Sequence, residues 1–438
     1  MRQQNRSVSA SRVWNMVAAM LMCIVATCSF SSCSESDPSP YNPDYSTSRT
    51  VMIYMVAENS MYNAAPADLR EMLLTQDERQ AFYSDDRVVV YVDDMDKPRI
   101  YVIDRNTSAQ SLKEFQPVQT YDEDVNSASA EQLGVFIDYV KENYPADSYG
   151  LVMWSHSSGW LPSTYSGDNA SVAPRRSFGI DNGHNDTNTK GGIIDIGHQM
   201  NISDMARVLE AKGGVDFIFF DACFMQSVEV AYELRNATKH VIASPAEIPY
   251  DGANYTTMLP AMFYKDNVGV HMLDAYYQEY TSPAKSKYGI VISDVNTSAL
   301  PAFATYMKQL VRQYKTTLLE ANYSNVLDYF RYGVRDVGTY QTWGTSYHDC
   351  YDLQGMMKKV LSNEDYARWQ EEVAKVVTCR HADHWWSADY GGFRTYPIDA
   401  EQCCGMSMFL PLAKYNGNPL QFNEAYLDTS WAKDVWKE

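Results

Sequence analysis

Residues 215–235, VDFIFFDACFMQSVEVAYELR, change character half-way, and that change decides how the rest of the chain is read. The run from Phe217 to Phe220 is apolar without alternation. It predicts a strand buried on both faces, as in a parallel sheet covered by helices. Met225, Val228, Ala231, Tyr232 and Arg235 then recur at three- and four-residue steps, which predicts a helix. Cys223 falls at the hand-over. A thiol there is expected to meet unpaired backbone N–H groups and the positive end of a helix dipole, both of which favour thiolate.

Working outward, strand-like and helix-like segments alternate. Residues 50–57 (TVMIYMVA), 87–92 (RVVVYV) and 149–154 (YGLVMW) read as strands. Helical spacing surrounds Asp68 to Leu74 and fills 129–142, with Leu133, Phe136, Ile137 and Val140 on one stripe and Tyr144-Pro145 ending it. Residues 155–199 are rich in Gly, Ser, Asn and Asp and read as one long loop, a length that in compact domains is usually functional. A helix over 202–209 stops at Lys212-Gly213-Gly214. Beyond the opening stretch come a strand at 240–244, a helix at 268–280 and a strand at 288–293. This order predicts a three-layer α/β/α sandwich on a mostly parallel sheet. From about residue 297 the pattern turns mainly helical, with a late strand at 405–410.

Two strand ends carry chemistry: Trp154-Ser155-His156-Ser157-Ser158-Gly159-Trp160 and Asp221-Ala222-Cys223. In open parallel sheets the carboxyl ends of the strands share one rim, where ligands bind. Neighbouring strands would bring His156 to Cys223. A thiolate can attack a carbonyl, an imidazole can protonate the leaving amine, and backbone N–H groups can hold the oxyanion.

The blocks at 149–160 and 219–244, with FDACFMQSVEVAYEL and the ASPAEIPYDG segment at 243–252, resemble the clostripain family of cysteine peptidases, which shares the caspase–haemoglobinase fold with caspases, legumains and gingipains. The resemblance spans about residues 50–295. It implies that His156 is the catalytic histidine and Cys223 the nucleophile, a dyad needing no third member. It also implies that the Ser157 and Cys223 N–H groups hold the oxyanion. Asp221 matches the acidic residue at the floor of the S1 pocket, which implies cleavage after Arg or Lys through an ion pair. Relatives are often cut between histidine and cysteine, and Arg175-Arg176 offers such a point. One position departs from the pattern: Ser157 stands where the family has glycine. A backbone restricted to glycine there would impair the site, so the rival reading is a catalytically impaired homologue acting as a surface binding lipoprotein.

Composition bounds partners. The 438 residues are 45% hydrophobic and 21% charged, as in soluble globular proteins, with a net charge of −19. Nucleic acid is not an expected partner, because phosphate binding needs a basic face; peptides and proteins with basic residues are. Arg2, Arg6 and Arg12 precede an apolar run at 13–25 that is too short for a confident membrane span. Phe30-Ser31-Ser32-Cys33 then resembles a lipobox, and the acidic, Pro-containing stretch 34–48 reads as a tether. The expected organisation is a signal peptide over 1–32, lipidation at Cys33, a tether over 33–48, a caspase-like core over 49–295 and an extension over 296–438 packed on it. The protein would be exported and anchored to the outer membrane or cell surface. Cys28 is a competing lipidation site, and an ordinary secretory peptide is the plainer alternative. Five further cysteines, Cys223, Cys350, Cys379, Cys403 and Cys404, are an odd number in an oxidising compartment, and Cys223 is the candidate free thiol.

Other clusters are weaker. His348-Asp349-Cys350 and Cys379-Arg380-His381-Ala382-Asp383-His384 lack the paired spacing of a zinc site and read as packing or a disulfide. Asp181-Asn182-Gly183 with Asp186 offers oxygen ligands for calcium but no full EF-hand, and reads as a turn. No cofactor is expected, with calcium as the alternative. His384-Trp385-Trp386 with Tyr390 reads as core or as a sugar- or peptide-binding face.

Overall fold

The computed structural model describes residues 48–74, 85–109, 111–161, 177–183, 195, 197–330, 349–389, 392–417 and 421–437. Cys33, Arg175, Arg176, Asp186, His348 and Tyr390 lie outside them.

Fifteen strands are described: β1 (Arg49–Val56), β2 (Arg87–Asp93), β3 (Arg99–Asp104), β4 (Gln119–Thr120), β5 (Ser148–Trp154), β6 (Phe178–Asp181), β7 (His198–Met200), β8 (Val215–Asp221), β9 (Thr238–Ala243), β10 (Val291–Asn296), β11 (Tyr351–Asp352), β12 (Val377–His381), β13 (His384–Asp389), β14 (Gly392–Pro397) and β15 (Ser407–Met408). Nine form one sheet in the order β12-β10-β9-β8-β5-β1-β2-β3-β4. From β9 to β2 every pairing is parallel. The strands outside that block, β10 and β12 on one side and β3 and β4 on the other, run antiparallel to their neighbours.

The central parallel strands are mainly apolar because both faces are covered. All eight residues of β1 are buried. Met52, Tyr54 and Val56 point into one apolar cluster and Val51, Ile53 and Met55 into the other, the two-residue alternation of a strand. On the Tyr54 side lie α2 (Ala130–Asn143), α3 (Ile202–Ala211), α4 (Val228–Glu233) and α7 (Leu300–Glu320). On the Ile53 side lie α1 (Ala65–Leu74), α5 (Tyr255–Met262) and α6 (Val268–Thr281). The fold is therefore the expected three-layer sandwich on a mostly parallel sheet. After α7 come α8 (Leu353–Val360), α9 (Asn363–Val373), α10 (Phe422–Leu427) and α11 (Ser430–Val435).

Several features differ from the expectation: the stretch read as one loop over 155–199 holds β6 and begins β7, which pair with each other. The strand read at 288–293 begins at Val291, after Gly289 turns with φ 65°. Helix α5 was not legible, because Pro260 inside it breaks the expected pattern. The residues after 297 are not only helical: they supply β12 to the sheet and the β13–β14 hairpin.

Candidate active site

Strands β5 and β8 pair in parallel, with Trp154 opposite Asp221. His156 and Cys223 each follow that rung by two residues, at the same rim of the sheet. The two strand ends are tied directly: Ser157 Oγ donates to the Cys223 carbonyl at 2.5 Å.

The expected helix does not begin at Cys223. Phe224 adopts φ 60°, a left-handed conformation that helices do not propagate. The Phe224 and Gln226 N–H groups donate instead to the carbonyls of Ala246 and Ser244, at 3.0 Å each. Helix α4 starts only at Val228, where the Ser227 side chain caps the Val230 N–H. The thiol therefore has no helix dipole behind it. The Ile248 N–H donates to Sγ at 3.5 Å, and a hydrogen bond of this kind favours the charged thiolate. Phe224 also stacks on Phe330, ring centroids 4.7 Å apart.

Ser157 bridges Phe178 in antiparallel fashion. The flanking bonds run from the Ser158 N–H to the Ser177 carbonyl and from the Gly179 N–H to the His156 carbonyl. Ser157 is thus the non-hydrogen-bonded member of the bridge, and its own N–H points away from Phe178. Its φ is not positive; Phe224, Asn267 and Gln421 are the non-glycine residues with positive φ among the described residues. Serine therefore occupies this place without a glycine-only conformation.

The His156 ring has neighbours that sequence reading missed. Nε2 lies 2.8 Å from Ser60 Oγ and 3.3 Å from Asp195 Oδ2. Ser60 donates Oγ–H to Asp195 Oδ2 at 2.6 Å and N–H to Asp195 Oδ1 at 2.9 Å. Ser60 sits in the turn that leaves β1, and Asp195 lies in the long loop. The position of Ser60 just beyond a strand end on the same rim was the available signal; nothing in the sequence singled out Asp195.

Asp221 is buried two residues before Cys223 and accepts from the Ala253 N–H and from Tyr255 Oη at 3.0–3.1 Å. Burial, opposed by those hydrogen bonds, pushes its carboxyl up to about 6. Gly252 permits the close wrap: with φ 56°, a Cβ there would stand 2.9 Å from Asp221 Oδ2. Asp68 is also buried and accepts from Trp154 Nε1–H at 2.7 Å. Burial, reinforced by the charge of Asp221, pushes Asp68 up to about 9. Closer to solvent, Lys285 Nζ lies 3.4 Å from Asp251 and 3.3 Å from Glu279.

A buried acid, a thiol and an imidazole on two adjacent parallel strand ends can be compared with known proteins. The model of the clostripain family matches residues 53–437. The chain belongs to the clostripain family. Clostripain of Hathewaya histolytica is 30% identical over 200 residues, which are 42% of this chain and 36% of that protein, so the match spans about a third of its length. A secreted C11 cysteine protease from Bacteroides thetaiotaomicron, solved with an irreversible peptide inhibitor, superposes with a TM-score of 0.68 at 26% identity, covering 90% of this chain and all of that one. An inactive zymogen C11 protease from Parabacteroides distasonis gives 0.68 at 27%, with the same coverage.

In this clostripain-family chain the weaker clusters resolve into structure. Asp181 accepts from the Gly183 N–H at 2.9 Å and the Ser127 N–H at 2.5 Å, closing a turn in which Gly183 has φ 64°. Asp349 accepts from Tyr415 Oη and pairs with Lys414. Cys223, Cys350, Cys379, Cys403 and Cys404 are all free thiols. Trp385 is buried, stacked on Tyr396 and edge-on to Tyr329, so this part of the aromatic stretch is core.

Among the described residues the carboxylates able to share a metal are Glu58, Asp93 and Asp124, whose ligand atoms lie within 4.8 Å of one another. Oxygen donors of this kind suit a hard cation. Burial, with the charges of Asp181, Glu58 and Asp124 behind it and the Ser127 bond opposing, pushes Asp93 up to about 9.

Proposed function

We propose that the chain is an exported cysteine endopeptidase in which Cys223 and His156 form the dyad and which cleaves after Arg or Lys. The observation that carries this reading is the Trp154–Asp221 rung, which leaves His156 and Cys223 at matching places on adjacent strand ends. The Cys223 thiolate attacks the scissile carbonyl carbon, and the Ser157 and Cys223 N–H groups receive the oxyanion. The C–N bond breaks as the His156 imidazolium gives its proton to the leaving amine. Water, deprotonated by His156, then attacks the thioester and releases Cys223 as thiolate. The Phe224 N–H, already bound to Ala246, is not used.

Buried Asp221 supports a preference for a basic side chain. So does Lys285, an ammonium already accommodated between Asp251 and Glu279. The arginines before the apolar run, and Cys33 before a polar tether, support export and lipid anchoring; Arg175-Arg176 is the proposed point of self-processing. Among the described residues no helix is long and apolar enough to cross a membrane.

Fluorogenic peptides with Arg, Lys or Asp before the scissile bond test the reading, beside a Cys223→Ala chain. Turnover after Arg or Lys, lost in Cys223→Ala, is expected. Turnover only after Asp would refute the role given to Asp221. No turnover of any peptide, even after proteolytic processing and added calcium, would favour a binding lipoprotein. Wild type should also separate into two fragments where Cys223→Ala remains whole; equal mobility would remove self-processing.

A further inference from the structure

We propose that Ser60 and Asp195 are positioning residues that hold the proton of His156 on Nε2 and leave Nδ1 as the nitrogen that exchanges protons with Cys223 and the leaving amine. This rests on the reading of His156 as the catalytic histidine, and it adds two residues to what the resemblance implies is a dyad.

Hydrogen accounting carries it. Asp195 Oδ2, as a carboxylate oxygen, can only accept, so the single hydroxyl proton of Ser60 is committed to it at 2.6 Å. Ser60 Oγ, 2.8 Å from His156 Nε2, must then accept, and Nε2 must carry hydrogen. Asp195 Oδ2, 3.3 Å from the same nitrogen, makes the same demand. In neutral imidazole this fixes the tautomer, and in imidazolium it leaves the Nε2 proton in place. Either way the nitrogen that titrates is Nδ1. A carboxylate behind an imidazole also favours the imidazolium, the form that delivers a proton to a leaving amine.

The frame is built to hold this arrangement. Wholly buried Asn59 donates Nδ2–H to the carbonyls of Val56 at 2.9 Å and Ile180 at 2.8 Å and accepts the Met61 N–H at 2.9 Å, fixing the backbone on both sides of Ser60. Ser155, the residue before His156, donates to the Val56 carbonyl at 2.7 Å, locking the ends of β1 and β5 together. The Ser60 N–H holds the second oxygen of Asp195. In sequence Arg175 and Arg176 lie between His156 and Asp195. A cut there would leave Ser60 joined to His156 and Asp195 joined to Cys223, so the device survives the cut only by bridging the two fragments.

Asp195→Asn and Ser60→Ala are measured in the full chain on Arg and Lys peptides, with His156→Ala and Cys223→Ala as references. Asp195→Asn should lower kcat about ten- to a hundredfold with KM nearly unchanged. It should also move the alkaline limb of kcat/KM to lower pH by about one unit, because the imidazolium loses its carboxylate. Ser60→Ala should shift the limb in the same direction. An unchanged limb in both variants, with His156→Ala inactive, would overturn the proposal and leave the dyad standing. Faster turnover in Asp195→Asn would also overturn it, making Asp195 a restraint. Full turnover by His156→Ala would sink the dyad and this proposal together. Should either variant fail to fold, 15N spectra of the Cys223→Ala chain, with His156 assigned by difference, should show Nε2 protonated; an Nδ1–H tautomer would overturn the proposal.

Discussion

Ser157 Oγ donates to the carbonyl of Cys223, the residue proposed as nucleophile, so the side chain at the position where the resemblance implied glycine ties the two strand ends of the site together. Because Ser157 has no positive φ, restoring glycine gains no backbone freedom that the native conformation needs. Ser157→Gly should therefore not raise kcat. Both Ser157→Gly and Ser157→Ala should lose about 1 kcal/mol of stability, as the partly buried carbonyl loses its donor. Denaturant unfolding and peptide kinetics check this. A tenfold gain in kcat for Ser157→Gly would show that serine impairs the site.

Gly159, two residues further on, lies under the other side of the nucleophile's turn. It has φ 85°, and a Cβ there would stand 3.0 Å from the Phe224 carbonyl oxygen. Gly159→Ala adds strain of about 1–3 kcal/mol and presses on the left-handed residue that aims Cys223. Stability should fall by that order, and kcat several-fold with it. Unchanged unfolding and unchanged kcat would mean that the Phe224 turn yields freely.

The parallel core was legible because its strands are buried on both faces: VDFIFF and TVMIYMV carry no alternation for a helix or a half-exposed strand to imitate. That His156 and Cys223 would fall on one rim was legible because strand ends in such a sheet share it. What followed Cys223 was not. The helical spacing of Met225, Val228, Ala231 and Tyr232 is real only from Val228, and its continuation back to Met225 is overridden by the left-handed Phe224 and by pairing with Ser244 and Ala246. Ser60 and Asp195 were hidden for another reason. Their relation to His156 brings together residues from three separate stretches of the chain, and no spacing in one sequence encodes it. Strand β12 escaped because its residues, Val377 to His381, are all only half-buried and carry none of the apolar run that marks the centre of the sheet.

Asp221 should impose a pH dependence. With its carboxyl at about 6, it holds charge at pH 7 and loses it below 6. The kcat/KM for Arg and Lys peptides should fall as pH drops through about 6, while Asp221→Asn should be poor and flat across that range. The folded value lies above the ordinary aspartate value of about 3.9, so the contribution of Asp221 to stability is present below about 4 and is lost as pH rises through about 6. Asp221→Asn should accordingly gain on wild type in thermal stability above pH 6. A variant that loses both activity and stability at pH 7 would contradict the sign.

Asp68 and Asp221 compete for one negative charge, and the hydrogen bonds decide which receives it. Asp221 has the Ala253 N–H and Tyr255 hydroxyl as donors, whereas Asp68 has Trp154 Nε1–H; the charge therefore belongs to Asp221, and Asp68, raised to about 9, is a neutral acid at pH 7. Asp68→Asn replaces that acid by a neutral isostere that keeps an acceptor for Trp154. Turnover of Arg peptides at pH 7 should be within about twofold of wild type, since no charge leaves the pocket. Stability should match wild type near pH 4 and exceed it at pH 8 by several kcal/mol, up to about 6, because unfolding of the wild type is favoured once the exposed carboxyl can ionise. A tenfold rise in KM for Arg peptides with no gain in stability at pH 8 would show that Asp68 is charged and shares recognition of the basic side chain with Asp221.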